Sequence, residues 1–503
     1  MRSLWLLAAL LGPPLEAQAR PSASQAAGTI TPPDLMRRIG IIADDSMQGR
    51  ATPSRGLEQT AQYVASEFRR SGLKPGAAGG SYIQRFGVTR WVIDAGASTV
   101  TLVSRGGRHV ARVGTDARYI IGKVPDQPVR GSVVLIAAAD SSDLLAGADV
   151  RDKLVLLVLD FSRPLAANLN QKITELAAAG PKAVLVLSNR DSATFAQRLA
   201  DASRPRLERN GTPAGTGAPV VELHERAVGA ALTELGIDPP RLRSLARAER
   251  RPVAGLTIEL RLEKQVSSQG LVPNVVGILE GSDSLLRNEY LVYSAHTDHI
   301  GIRPGGNDSI SNGADDNASG VAGLLELAEA FAQPGMRPRR SILFLAPGAE
   351  EDGLLGSAHF TEHPTVPLSR VVANINMDLI GRNWPDSVIA VGLDHTDLGK
   401  TLQAVVRAHP ELRMTPIPDR WPEERIFYRS DHYNFARKGV PILFFTSGTH
   451  PDYHQPSDEA SRIDVEKQAR LVQLLFYLGA QVADTVSRPQ WYADRYREIV
   501  ERR

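Results

Sequence analysis

The sequence predicts an α/β fold, a three-layer αβα sandwich around a mixed, largely parallel sheet, with a smaller β-rich α/β domain inserted into it. Beyond residue 252, short apolar runs alternate with helical patterns, and such continuous runs are typical of strands buried on both faces. These runs span residues 290–295, 341–346, 371–377 and 441–446. The length of 503 residues exceeds what one hydrophobic core usually organises, so at least two folding units are expected.

The chain begins with the pattern of a secretory signal peptide. A charged start precedes the apolar run 4–11, and Ala17 and Ala19 supply the small residues that a signal peptidase requires. The sequence therefore predicts a signal peptide over residues 1–19 and an exported protein, periplasmic or secreted. The apolar run is too short to span a bilayer, and no later stretch reaches about 18 uninterrupted apolar residues, so no membrane span is expected.

The next elements are a helix and then a region of short β-rich runs. Ala61, Val64 and Phe68 recur at helical spacing, and Gly72 stands where a left-handed cap would end the helix. From residue 100 to residue 248, short β-rich runs are separated by Gly, Pro and Asp, and a helical patch covers residues 173–179. No His, Asp and Glu residues converge there, which predicts a self-contained α/β module without chemistry of its own.

Two helical patterns complete the main sheet region. A helix between the first two runs carries apolar residues on one face, namely Val321, Leu324, Leu325, Ala328 and Phe331. A last helix is predicted from Asp464, and an Arg-rich tail covers residues 488–503.

The composition excludes several kinds of partner and catalytic site. The formal net charge is only +2 and no dense basic run occurs, so a nucleic-acid partner is not expected. The absence of cysteine excludes disulfides, thiol catalysis and zinc–thiolate sites. Any metal must therefore be held by His, Asp and Glu.

Acidic and histidine residues follow the predicted strands at the point where each strand ends. In open α/β sheets, ligands bind at the carboxyl ends of the strands, so these side chains are expected at one edge. The Asp315-Asp316 pair lies in a Gly-rich loop entering the first crossover helix. The candidate residues are His296, Asp298, Asp316, Glu350, Glu351, Asp378 and His454.

This inventory suits a pair of metal ions. Two cations a few ångströms apart need a bridging carboxylate, with imidazole and carboxylate ligands on each side. A further carboxylate is needed to take a proton from water, and Glu350 beside Glu351 is placed for that work. Asp298 is placed to accept the second ring N–H of His296 and fix its tautomer.

Five motifs in this order resemble those of the zinc aminopeptidases related to aminopeptidase Y and bacterial leucine aminopeptidase, whose superfamily includes glutamate carboxypeptidase and glutaminyl cyclase. The motifs are SAHTDHIG (294–301), GADDNASG (313–320), AEEDGLLGS (349–357), NMD (376–378) and HPDYHQPSD (450–458). The segments DSMQGR (45–50) and GLKP (72–75) are similar to the start of the same catalytic domain. The resemblance implies catalytic parts at residues 30–99 and 252–487, and a protease-associated-like domain at residues 100–248.

The resemblance also implies roles for single residues. Asp316 would bridge two Zn²⁺ ions per chain, His296 and Asp378 would complete one site, and Glu351 and His454 would complete the other. Glu350 would be the general base, and the peptide bond after Asp316 would be cis. Tyr428 lies in a region that lines the substrate pocket in relatives, where it either stabilises an oxyanion or simply packs.

The predicted function is that of an exported di-zinc metallopeptidase acting on peptide substrates, an aminopeptidase. A carboxypeptidase or dipeptidase stays open because Arg425 and Arg429 lie near Tyr428 and such enzymes need basic groups for a terminal carboxylate. A mono-zinc glutaminyl cyclase and a non-catalytic, receptor-like binding protein also stay open, although the intact ligand set argues against the receptor-like protein. A serine hydrolase is disfavoured because no Gly-x-Ser-x-Gly motif occurs.

Overall fold

The chain folds into two units in the computed structural model, which describes residues 23–137, 149–163, 169–212, 217–245, 247–303, 305 and 308–501. The larger unit contains the chain up to Gln84 together with Pro273–Arg503, and the second unit is Arg85–Val272. The predicted signal peptide lies outside the described residues. Among the described helices, none has the length and apolar character needed to cross a membrane.

The larger unit is built on a mixed sheet. Its central strands run parallel to their neighbours. Within this unit the strand order is Thr415–Ile417, Ser387–Val391, Ile442–Thr446, Val371–Met377, Tyr290–Ser294, Ser341–Ala346 and Lys264–Leu279, the last of which also pairs with Lys74–Pro75. Antiparallel pairing joins Ser387–Val391 to Ile442–Thr446 and Lys264–Leu279 to Ser341–Ala346. The predicted largely parallel sheet is confirmed, and each predicted apolar run is a buried strand.

The sheet has a hydrophobic core on each face. Because successive side chains of a strand point to opposite faces, Leu291 and Tyr293 belong to one core, whereas Val292 lies in the other. The helices of this unit are Ala23–Ala27, Pro32–Ile42, Arg55–Arg70, Gly320–Phe331, Leu355–Glu362, Leu398–Ala408, His432–Ala436, Val465–Asp484 and Ala493–Tyr496. The αβα layering predicted from sequence is therefore confirmed.

Helix ends follow from local chemistry. Ser54 caps the helix Arg55–Arg70 by accepting a hydrogen bond from the backbone N–H of Leu57 at 3.1 Å. The helix ends as predicted, because Gly72 has φ +75° and the N–H of Leu73 returns to the carbonyl of Phe68. Asp464 caps the helix Val465–Asp484 through the backbone N–H of Lys467.

The second unit has its own sheet and cores. Its strand order is Gly107–Arg112, Thr99–Ser104, Glu249–Arg261, Val129–Ala137, Leu154–Val158, Ala183–Ser188, Val220–His224 and Ala117–Ile121. Outside this sheet, strand Ile83–Ile93 pairs with Arg206–Arg209. The helices are Leu169–Ala178, Ser192–Ala202, Gly229–Glu234 and Pro239–Arg243. The assignment of residues 100–248 to a protease-associated-like domain stays a prediction.

Candidate metal centre

The predicted metal ligands meet at the carboxyl edge of the parallel strands in the larger unit. Asp378 directly follows the strand Val371–Met377, and His296 lies two residues beyond Tyr290–Ser294. Two groups of His, Asp and Glu donors form there, each with its donor atoms within 4.8 Å of one another, and both groups contain Asp316. All five residues that the sequence predicted as ligands belong to these groups.

The first group is His296, Asp316 and Asp378, all buried. Nε2 of His296 lies 3.2 Å from Oδ1 of Asp378 and 3.5 Å from Oδ1 of Asp316. The Ser430 hydroxyl donates to the other oxygen of Asp378, Oδ2, at 2.9 Å. One oxygen of Asp378 is thus held by a hydrogen bond, and the other faces the donor group.

The second group is His299, Asp316, Glu351 and His454. Nε2 of His454 lies 3.1 Å from Oδ2 of Asp316 and 3.2 Å from Oε2 of Glu351. Asp316 therefore turns Oδ1 toward the first group and Oδ2 toward the second. This is the arrangement expected of a carboxylate that bridges two cations.

The spacing of these donors fits zinc. Two ligands at about 2.0–2.1 Å from a tetrahedral Zn²⁺ lie roughly 3.4 Å apart. The contacts of His296 and His454 with the carboxylates, from 3.1 to 3.5 Å, match that separation. Imidazole nitrogens with carboxylate oxygens are also a donor set that zinc accepts.

The loop that carries Asp316 is fixed by its backbone. Gly313 has φ +58°, and the peptide bond between Asp316 and Asn317 is cis, as predicted. The N–H groups of Asp315 and Asp316 donate to the Asp458 carboxylate at 3.0 to 3.1 Å. These contacts hold the bridging residue against the segment that carries His454.

Arg50 anchors the same loop from the inside. Its guanidinium is 1% exposed and, among the residues that the structure describes, donates to backbone carbonyl oxygens alone. These acceptors belong to Ile42, Thr297, Asn312, Gly313 and Asp316. Burial lowers the pKa of Arg50 to about 10, although nearby acids, Asp316 first among them, act in the opposite direction. The side chain joins the loop after His296 to the loop before Asp316.

Glu350 lies beside the donors without belonging to either group. Its Oε2 is 3.9 Å from Nε2 of His296, and the side chain is 9% exposed. Burial raises the pKa of Glu350 well above its ordinary value; the His296 charge opposes this, and Asp378 adds to it. A carboxyl with a raised pKa next to a metal centre is suited to accept and return a proton.

Asp298 contacts both His296 and the glutamate loop. Nδ1 of His296 is 3.2 Å from the backbone carbonyl oxygen of Asp298, whereas the carboxylate lies at 3.8 Å. The nearer acceptor is therefore the backbone rather than the side chain that the sequence suggested. The carboxylate instead accepts hydrogen bonds from the backbone N–H groups of Glu350 at 3.0 Å and Glu351 at 3.3 Å.

A cavity of about 310 Å³ opens onto the donors. Tyr428, 37% exposed, lines it together with Arg429, and the Arg425 guanidinium lies 4.6 Å from the centre of the Tyr428 ring. A smaller adjoining cavity has a mainly apolar wall of Trp421, Ile426 and Phe444. The region predicted to line the substrate pocket thus borders the metal centre.

His299 is the member of the donor groups that the sequence reasoning missed. It is buried, and its Nδ1 lies 2.8 Å from Oε1 of Glu351 and 3.7 Å from Oδ2 of Asp316. The sequence offered one indication, because His299 lies three residues after His296 in the loop that follows the same strand. Ser430 and Arg50 were likewise not assigned to the site, because hydrogen bonds to ligands and carbonyls leave no spacing pattern.

Comparison with known proteins supports the predicted resemblance. Residues 274–478, which carry every donor of both groups, match peptidase family M28. Aminopeptidase YwaD of Bacillus subtilis (strain 168) is 29% identical over 306 residues, which are 59% of this chain and 56% of that protein. Aminopeptidase NAALADL1 of Mus musculus is 38% identical over 129 residues, 25% of this chain and 15% of that protein. The chain thus spans about half the length of the first relative and far less of the second.

A solved structure shares the fold. The aminopeptidase from Aneurinibacillus sp. strain AM-1 superposes with a TM-score of 0.54 at 18% identity, covering 93% of this chain and 97% of that one. This likeness concerns the fold alone.

Proposed function

We propose that this chain is a two-zinc exopeptidase that releases residues from the amino-terminal end of peptides. The observation that carries the proposal is Asp316, whose two carboxylate oxygens face two separate donor groups. The match of residues 274–478 to peptidase family M28 and the relatives named aminopeptidases support the same function.

The side chains take distinct parts in peptide hydrolysis. His296 and Asp378 would hold one cation, Glu351 and His454 the other, and Asp316 both. When bound, the cations would activate a water molecule and polarise the scissile carbonyl. Glu350 takes the proton of the attacking water and returns it to the leaving amine, for which its position beside the donors and its raised pKa suit it.

The arginines near the cavity give weak support to a carboxypeptidase. Two arginines left a carboxypeptidase as an alternative function. Of these, Arg425 packs over the Tyr428 ring, and only Arg429 lines the cavity. The Arg429 guanidinium lies 3.5 Å from the Glu424 carboxylate, which offsets its charge. A dipeptidase that binds a short peptide through Arg429 is the second candidate.

Blocked substrates test the assignment. Purified protein is freed of metal with a chelator, reloaded with zinc, and assayed on one peptide in free, N-acetylated and C-amidated forms. We expect about two zinc ions per chain, hydrolysis only with zinc, loss of hydrolysis on acetylation and little effect of amidation. Hydrolysis that survives acetylation and is lost on amidation would instead identify a carboxypeptidase.

We also propose that the protein is exported, which rests on the signal-like pattern of residues 1–19. The N-terminal sequence of the mature protein tests it, and cleavage after Ala19 is the expected result. A mature chain that retains residues 1–19 inside the cell would contradict the proposal.

A further inference from the structure

The two carboxylate oxygens of Glu351 have different histidine neighbours. Oε2 lies 3.2 Å from Nε2 of His454, and Oε1 lies 2.8 Å from Nδ1 of His299. Since His454 also contacts the bridging residue Asp316 at 3.1 Å, Oε2 is the oxygen on the side of Asp316 and His454. Oε1 is the oxygen that contacts His299.

Distances favour a hydrogen bond between His299 and Glu351 over a shared metal ion. A separation of 2.8 Å is typical of an N–H···O hydrogen bond and shorter than the roughly 3.4 Å between two ligands of one tetrahedral zinc. The distance from His299 to Asp316, 3.7 Å, is longer than the corresponding 3.1 Å from His454.

The far side of the imidazole gives a second criterion for the two fully buried histidines, His296 and His299. A ligating histidine almost always places its other ring nitrogen against an acceptor. His296 meets this condition, because its Nδ1 lies 3.2 Å from the Asp298 carbonyl oxygen. Nε2 of His299 is buried and has no hydrogen-bond partner among the residues that the structure describes. His299 therefore lacks the support expected of a ligand.

The His299 ring is held in place by its surroundings. A Cβ atom on Gly313 would lie 2.5 Å from Cδ2 and 2.6 Å from Cγ of this ring, so the glycine backbone packs directly against it. The ring of His454 meets it edge-on, with centroids 5.6 Å apart. The backbone N–H of His299 donates to the carbonyl of Arg50 at 3.2 Å. A ring confined in this way can fix the direction of its hydrogen bond.

We propose that His299 is a positioning residue: it donates from Nδ1 to Oε1 of Glu351 and so leaves only Oε2 to bind the cation. This inference rests on the proposed function, since it concerns a loaded metal centre. A carboxylate bound through both oxygens would occupy a further coordination position. Catalytic zinc sites keep one position open for water or substrate, and His299 preserves that opening.

Two substitutions separate a positioning role from direct ligation. His299→Asn keeps an N–H donor close to the place of Nδ1, whereas His299→Ala removes it. We expect His299→Ala to weaken the binding of one of the two zinc ions by about 10–100-fold, as is usual when the partner of a metal ligand is lost. His299→Asn should retain the wild-type affinity within about threefold. Competition with a calibrated chelator measures both.

Cobalt substitution adds a readout that does not depend on activity. The visible absorption of bound Co²⁺ reports the number and type of ligands, so His299→Asn should keep the wild-type spectrum. The matched control is His409→Ala, because His409 makes the same type of contact, Nδ1 to Glu411 Oε1 at 3.0 Å, outside both donor groups. This control should bind both ions as the wild type does.

Each outcome decides. If His299→Asn has the spectrum and affinity of His299→Ala, the proposal is overturned and His299 is a direct ligand. If His299→Ala binds metal as the wild type does, the proposal is also overturned and His299 has no role in metal binding. A wild-type chain that binds no divalent cation would overturn the proposed function as well. The two failures are therefore distinguishable.

Discussion

At the scale of single residues, two adjacent glutamates have pKa values shifted in opposite directions. Burial alone would raise the pKa of Glu351, but the contacts with His299 and His454 outweigh it and hold the pKa well below its ordinary value. The pKa of Glu350 lies well above its ordinary value, mainly because of burial. One carboxyl is thus kept ionised as a ligand, and the other can exchange a proton.

This contrast predicts that replacing each glutamate by glutamine impairs the enzyme in a different way. Glu350→Gln keeps the size of the side chain but removes its basicity, so we expect zinc content near wild type and a turnover lower by about 10² to 10⁴-fold. Glu351→Gln weakens metal coordination, so zinc content should fall together with turnover. Elemental analysis beside steady-state kinetics checks both variants, and near-full activity of Glu350→Gln would contradict the assigned roles.

The ligand types were predictable from the sequence, but their hydrogen-bond partners were not. His296 and Asp378 follow apolar strands directly, so strand ends alone locate them. The approach of His299 to Glu351 depends on how two loops turn toward each other, which periodicity does not encode. The Asp298 contact shows the same limit, because the sequence suggested a side-chain acceptor and the nearer atom is the backbone carbonyl.

At the scale of secondary-structure elements, Arg50 connects loops that are far apart in sequence. Its donors satisfy carbonyls at the end of the helix Pro32–Ile42, after the strand Tyr290–Ser294 and in the loop before Asp316. Such an array requires the planar, five-donor guanidinium, because a lysine ammonium has three donors at one point.

Arg50→Lys tests this connection. Lysine leaves buried carbonyls without donors, each costing about 1–3 kcal/mol, so we expect the larger unit to lose about 2–5 kcal/mol of stability. Zinc affinity should fall as the Asp316 loop loosens. Urea unfolding and chelator competition measure the two effects. The control is Arg37→Lys, at a half-exposed arginine paired with Asp34. Wild-type stability in Arg50→Lys would contradict the role.

Strands were predictable where both faces are buried. The apolar pattern did not predict the strand Lys264–Leu279, because Pro273, Asn274 and Gly277 interrupt its apolar residues and its first half is exposed. Strand order was also beyond the sequence pattern, since apolar runs mark burial and not which neighbour a strand pairs with. The clearest case is Ser387–Val391, which pairs antiparallel with Ile442–Thr446 although the central strands run parallel.

At the scale of the whole molecule, the chain leaves and re-enters the larger unit at adjacent points. Asn274 donates to the Gln84 side chain at 3.1 Å and to the Gly356 carbonyl at 2.9 Å. Gln84 in turn donates to the carbonyl of His363 at 2.8 Å. The residues of the larger unit that flank Arg85–Val272 are therefore held by hydrogen bonds within that unit.

Replacing residues 85–272 by a short Gly-Ser linker should leave the metal centre intact. The ends to be joined are already close, and every donor residue lies beyond residue 272. We expect a folded protein with the zinc content of the full chain, and a changed substrate range or Michaelis constant if the second unit governs access to substrate. Circular dichroism, elemental analysis and the same peptide panel provide the measurements. A folded variant that has lost its zinc would contradict the independence of the metal centre, because it would mean that residues 85–272 help to hold the ligands in place.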